Sequence, residues 1–219
     1  MTRKLKAIGR SICIIGAGGH CRVVYDLAVT LGYSVEAIYE EKVLERDEMI
    51  YGAPVQESFD NFLDIAVSNA ASIFIAIGDI SQRRKYKCIL EKEGLKTTTL
   101  VHPLAFFSRY ASIKEGCFVG PFAIINASAS IGEFCNINSA VTLEHEVTVG
   151  EFCNIHPRAT INGRTSIGNN VIIGSGATVI DYLTVCDNVI LGAGAVVLRD
   201  ILEPGTYVGV PARLIRSNR

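Results

Sequence analysis

The sequence predicts a two-part chain: an α/β domain with a parallel sheet, followed by a parallel β-helix of six-residue repeats. Three observations carry this. From Phe107 to Val197 an apolar residue recurs at every sixth position without a slip (Phe107, Ile113, Val119, Ile125 and onward). Four residues after each rung stands a small or apolar residue, such as Ala111, Cys117 or Ala123, so two positions in six face inward. Residues 11–102, in contrast, alternate short apolar runs with amphipathic stretches. Neither a 3.6-residue nor a two-residue period produces the ladder. Stacked hexads sharing a continuous core do.

In the first half, SICIIGAGG (11–19) reads as a buried strand and glycine turn, and CRVVYDLAVTLG as a helix closed by Gly32. SVEAIYE is a second strand, FDNFLDIAVSNA a helix, SIFIAIG a third strand, ISQRRKYKCILEKEG a helix and KTTTLVH a last strand. This is a Rossmann-like alternation, with helices on the faces of a parallel sheet. The domains are expected at 1–104 and 105–219. Ligands of such sheets bind beyond the carboxyl ends of the strands. That selects Gly16, Gly18, Gly19 and His20, then Glu40 and Glu41, then Gly78 and Asp79, with Arg22 as a further donor. A helix N-terminus after a glycine turn favours a phosphate. As a dinucleotide fingerprint GAGGHC is incomplete, because Cys21 stands where GxGxxG needs its third glycine. A structural turn and a nucleotide or nucleotide-sugar site both remain open.

A net charge of −1 with no basic block argues against nucleic acid and anionic membrane surfaces as partners. MTRKLKAIGRSI leads into an apolar run too short for a signal peptide or a span. Seven cysteines without a CxxC spacing point to a reducing, cytoplasmic setting. Cys117, Cys135 and Cys153 lie eighteen apart on inward positions and are read as stacked core residues.

Most outward ladder positions are turn residues. The glycines at the second hexad position, such as Gly120, Gly132, Gly150 and Gly168, are read as serving tight corners. His145 differs: it stands third in LEHEVT between Glu144 and Glu146, with Ala127 and Gly163 in the neighbouring coils, which is expected to leave a slot for a ligand. An imidazole, with its ordinary pKa of about 6.5, suits proton transfer at neutral pH, and a neighbouring carboxylate can orient it. General base and solvated turn histidine are both compatible with that position. His156 is read as a corner histidine. With only these two histidines on the ladder, a catalytic metal, which usually needs three protein ligands, is not expected. No GxSxG is present, and no covalent mechanism is indicated.

The GAGGH turn, FIAIGD followed by Arg83 and Arg84, VHP at 101–103, LEHEVTVGEF on the ladder and the closing YVGVPARLI together resemble the bacterial sugar acyltransferases of the sialic acid O-acetyltransferase and nucleotide-amino-sugar N-acetyltransferase group. The resemblance spans nearly the whole chain. It implies a left-handed coil, a homotrimer with active sites between adjacent subunits, and acetyl-CoA as co-substrate. His145 would be the general base, supported by Glu144 or Glu146, for direct attack of an amine or hydroxyl on the thioester. Gly174, Gly176, Gly192 and Ala193, one coil apart, resemble the wall along which the pantetheine arm runs, with Gly163 beside the base. Gly209, Pro211 and Arg213 resemble the segment near the adenosine end. One position departs: the family commonly has a second histidine nine residues after the base, where this chain has Asn154, whose amide can still donate to a thioester oxygen. YEEKV also carries Glu where the family often has Asp. The expected reaction is N-acetylation of the 4-amino group of a nucleotide-linked deoxy-amino-sugar. The alternatives are O-acetylation of sialic acid or a related sugar, a dinucleotide-dependent oxidoreductase, disfavoured by Cys21, and a non-catalytic binding trimer.

Overall fold

The structure, a computed structural model, describes residues 10–41 and 49–217. The basic first nine residues, and Lys42 and Val43 of YEEKV, lie outside the described residues. The chain divides into two compact units, Met1–Thr98 and Thr99–Arg219.

In the first unit β1 (Arg10–Ile15), α1 (Gly19–Thr30), β2 (Tyr33–Tyr39), β3 (Met49–Ile50), β4 (Ala53–Gln56), α2 (Phe59–Ser68), β5 (Ser72–Ile75) and α3 (Ile80–Lys92) follow in order. The sheet runs β3-β4-β2-β1-β5, with β4, β2, β1 and β5 parallel and β3 antiparallel at the edge. The central strand carries Ile12, Cys13, Ile14 and Ile15, all fully buried, as a strand covered on both faces requires. α1 ends at Gly32, whose φ of +82° suits glycine, and its N–H donates to Val29 O at 2.9 Å. Ser58 caps α2 through Asn61 N–H and Asp79 caps α3 through Gln82 N–H.

Two expectations change here. The β3–β4 hairpin, MIYGAPVQ, has no long apolar run to announce it. KTTTLVH is not a last sheet strand: Thr97 makes a lone bridge to Ile73, while Leu100–Val101 pairs with Phe118–Val119 as the first strand of the coil. Val101 stands one hexad before Phe107, so the ladder starts earlier than its bulky rungs show, and the unit boundary falls at 98/99 rather than 104/105.

The second unit is a three-sided parallel coil with a register of eighteen residues: Ile124 pairs with Thr142, Ser130 with Thr148 and Asn136 with Asn154. Sheet I contains Phe118–Val119, Asn136–Ile137, Asn154–Ile155 and Ile172–Ile173; sheet II contains Ile124–Ile125, Thr142–Leu143 and Thr160–Ile161; sheet III contains Ser130–Ile131, Thr148–Val149 and Ser166–Ile167. The rungs and the residues four places after them form one buried cluster. Cys117, Cys135 and Cys153 lie in it, their thiols donating to Gly132 O, Gly150 O and Gly168 O at 3.1, 3.0 and 3.1 Å. Burial holds the Cys135 thiol well above its ordinary pKa.

The corners are not made by the second-position glycines. From Gly116 to Gly194 every sixth residue, three places after a rung, has φ between 54° and 70°, and most of these residues are not glycine. Each left-handed non-glycine residue costs on the order of 1 kcal/mol, which the stacked coils must offset. Second-position glycines answer a different need: a Cβ on Gly132 would lie 2.7 Å from Gly150 C in the next coil.

Candidate active site

His145 lies on the corner between sheets II and III, held by the main chain of both neighbouring coils. Glu146 N–H donates to Ala127 O and Arg164 N–H to His145 O, each at 3.0 Å. The imidazole packs against Gly163, where an added Cβ would come within 2.6 Å of Cε1 and 2.7 Å of Nε2. The expected slot on that side is therefore filled by the imidazole itself. Its other side is open, the side chain being 57% exposed.

The carboxylate that supports it is Glu146, whose Oε2 lies 3.1 Å from His145 Nδ1. A carboxylate only accepts, so in the neutral ring the proton sits on Nδ1 and the lone pair on Nε2. Glu144 points elsewhere and accepts from Asn126 Nδ2 at 3.0 Å. Glu146 Oε2 also accepts from Arg164 Nε at 2.8 Å, and Arg164 Nη1 donates to Tyr182 Oη at 2.7 Å. These hydrogen bonds, that from Arg164 first and that from His145 second, hold the Glu146 carboxyl below its ordinary pKa and keep it ionised. Sequence reasoning missed Arg164 and Tyr182. Counting eighteens from Glu146 reaches both, because all three occupy successive left-handed corners (φ 60°, 58° and 60°).

The residues expected to meet acetyl-CoA stand on another edge. Gly174, Gly176, Gly192 and Ala193 lie on the corner between sheets I and II, beside an open groove of about 690 Å³ lined by Ser139, Pro157, Ser175 and Gly176. Their glycines do two jobs. At Gly174 a Cβ would come within 2.5 Å of Ala193 N, so that site serves coil stacking, whereas Gly176 (φ +68°) faces open space. Asn154 is on sheet I, nearly buried, with Oδ1 accepting from Asn136 Nδ2 at 3.0 Å. One chain thus does not bring Asn154 or the glycine wall to His145. Beyond the last coil, Gly205–Val208 and Arg213–Ser217 pair antiparallel, with Gly209 and Pro211 in the link between them. Arg213 lines a cleft of about 340 Å³ there with Arg199 and Tyr207.

In the first unit Gly16, Gly18, Gly19, His20, Glu40 and Gly78 converge on a cleft of about 690 Å³ beyond the carboxyl ends of β1, β2 and β5, where Glu41, Gln82 and Tyr86 join them. Gly16 is forced: its φ is +101° and a Cβ would come within 2.7 Å of Ile77 Cγ1. α1 opens at Gly19 without a side-chain cap, presenting its N-terminus there. Glu40 Oε2 accepts from Ala17 N–H at 3.0 Å and so braces the glycine turn. Glu41 accepts from Lys85 Nζ and Tyr86 Oη, Lys85 first in holding its carboxyl below the ordinary range. Two expected contacts have structural work instead. Arg22 turns back onto Ala17 O and Gly18 O, and the Asp79 carboxylate is taken by Ser81 and Gln82. Arg83, fully buried, donates to Ile77 O at 2.7 Å and fixes the β5 end of the cleft.

Among the described residues no group of three or more His, Cys, Asp or Glu is placed to hold a metal ion, and no helix is long and apolar enough to cross a membrane.

Two family models match the chain, the PglD N-terminal domain over residues 11–88 and the bacterial transferase hexapeptide (six repeats) over 146–181 and 164–199. No curated protein sequence matches it. Among solved structures, a variant of perosamine N-acetyltransferase from Caulobacter crescentus in complex with CoA and GDP-perosamine is 32% identical, with 95% of this chain and 97% of that one covered at a TM-score of 0.86. The acetyltransferase domain of PglB from Neisseria gonorrhoeae, in complex with acetyl coenzyme A, is 31% identical over 94% of this chain and 100% of that one, at 0.87. WeeI from Acinetobacter baumannii, 23% identical over 94% and 100%, shares the fold at 0.77. The parallel strands of the second unit are stacked as in a left-handed β-helix.

Proposed function

The chain belongs to the bacterial sugar acyltransferases that join a PglD-type N-terminal domain to hexapeptide-transferase repeats, and from that premise we propose that it transfers the acetyl group of acetyl-CoA to the 4-amino group of a nucleotide-linked deoxy-amino-sugar. The observation that carries the reading is His145, with Nδ1 committed to an ionised Glu146 and Nε2 left to accept a proton on an open corner. The likeness to an enzyme holding GDP-perosamine and CoA supports the class of both substrates.

In the proposed reaction the amine attacks the thioester carbonyl as Nε2 takes its proton. The C–N bond forms, a tetrahedral intermediate is stabilised by a donor such as a backbone N–H, the C–S bond breaks, and the imidazolium returns the proton to the CoA thiolate. The first unit's cleft, with the α1 N-terminus and a backbone-lined turn, suits the phosphates of a nucleotide sugar.

We further propose a homotrimer. Sheet II carries exposed Phe106 (57%) and Ile124 (40%) on its outer face, followed along the coil by Thr142, Thr160 and Thr178. If that face turns to a threefold axis, the His145 corner of each subunit meets the glycine corner of the next, which completes the site one chain leaves divided. Seven free cysteines, five of them buried, suit a reducing cytoplasmic setting.

The test is purified protein with acetyl-CoA and a panel of acceptors. Transfer to GDP-, UDP- or dTDP-linked 4-amino-sugars is expected. Transfer confined to free or CMP-linked sialic acid would instead establish O-acetylation, and coenzyme binding without turnover on any acceptor a non-catalytic trimer.

A further inference from the structure

We propose that Arg164 and Tyr182 are positioning residues that fix the tautomer of the base. This rests on the reading of His145 as general base. An exposed Glu beside a His does not hold it in one orientation: the glutamate has three rotatable bonds, and in water either imidazole nitrogen carries the proton. Here the carboxylate is pinned by a second donor. Arg164 Nε and His145 Nδ1 converge on the same oxygen, Glu146 Oε2, at 2.8 and 3.1 Å. Arg164 is itself pinned through Nη1 to Tyr182 Oη at 2.7 Å, with its Cζ 5.4 Å from the centre of the tyrosine ring.

The backbone makes this row possible. Glu146, Arg164 and Tyr182 occupy the same left-handed corner in three successive coils, so their side chains leave the coil in parallel, one strand spacing of about 4.8 Å apart. Main-chain bonds lock the spacing: Arg164 N–H donates to His145 O, and Tyr182 N–H to Gly163 O, each at 3.0 Å. A planar guanidinium uses two of its five donors in different directions here, which a lysine ammonium on a flexible stem does not reproduce. The row therefore sets Nδ1–H and leaves the Nε2 lone pair as the acceptor, although neither Arg164 nor Tyr182 needs to touch a substrate.

The experiment compares wild type with R164Q, R164K and Y182F. It reads steady-state kinetics on the active acceptor and the ¹⁵N resonances of His145, assigned by their loss in H145A. In R164Q the His145 signals are expected to move toward the Nε2–H tautomer, with kcat falling about tenfold and KM for acetyl-CoA unchanged. R164K should recover part of both readouts, and Y182F should shift them in the same direction as R164Q by less. Y182F also supplies the test should R164Q fail to fold. Retention of the Nδ1–H signature and of wild-type kcat in R164Q, while H145A is inactive, overturns the positioning role alone. Near-normal turnover in H145A overturns that role and the base assignment together.

Discussion

The His145 corner and the first-unit cleft solve the placing of functional groups in opposite ways. On the coil, the candidate groups are exposed side chains whose positions are set by strand register, one residue per eighteen: Glu146, Arg164 and Tyr182 form a row because the coil stacks them. In the cleft a glycine-rich backbone is presented beside His20, Gln82 and Tyr86, and several charged side chains hold the walls. Glu40 braces the turn, Arg22 folds back on it, Asp79 caps α3 and Arg83 fixes the β5 end. In the proposed reading the coil is a scaffold for acid–base chemistry, and the cleft one for recognition. Substitutions on the coil should change kcat, and substitutions in the cleft KM for the acceptor.

The largest effect should come from mixing subunits. H145A and S175W each alter one of the two corners that the proposed trimer brings together, and each alone should be inactive. In mixed trimers about one quarter of the sites would pair two intact corners, so activity should return to about that level. No recovery, with mixing verified by mass spectrometry, would place the site within one chain. Next is Gly163→Ala: the new Cβ, 2.6–2.7 Å from the imidazole, must displace it, and kcat should fall about ten- to a hundredfold with the fold intact by circular dichroism.

In the cleft, Gly16→Ala meets a φ of +101° and Ile77, so thermal unfolding should show a loss of about 1–2 kcal/mol. KM for the nucleotide sugar should rise several-fold while kcat changes little. The smallest effect concerns His156, whose pKa burial pushes below its ordinary 6.5. The folded state then disfavours the imidazolium relative to the unfolded chain, so its contribution is present above 6.5 and lost as pH falls through the folded pKa. Melting temperatures below pH 6.5 should fall less steeply in H156Q than in wild type.

The two regions also differ in how much of them can be read from sequence. The coil is legible because one period determines inside, outside and neighbour, and the same count that stacked the cysteines brings Gly163 under His145. What periodicity omits is the use made of the space. The small residue beside His145 receives its ring, and glycines read as corner-makers are there for coil-to-coil approach. Asn154 shows another limit. Its hexad position is outward, yet it is buried and bonded to Asn136, and nothing in a six-residue pattern reports what covers an outer face. In the first unit the glycine turn and strand ends are legible from composition. Which of His20, Arg22, Glu40 and Asp79 faces the cleft depends on side-chain rotation and capping, which strand order does not determine.

The central claim, that His145 is the base for acetyl transfer, is tested most directly by H145A, with acetyl-CoA binding measured by calorimetry beside turnover on the preferred nucleotide-linked amino sugar. Turnover two to four powers of ten below wild type, with coenzyme affinity nearly intact, is the predicted result. Turnover within a few-fold of wild type would contradict it.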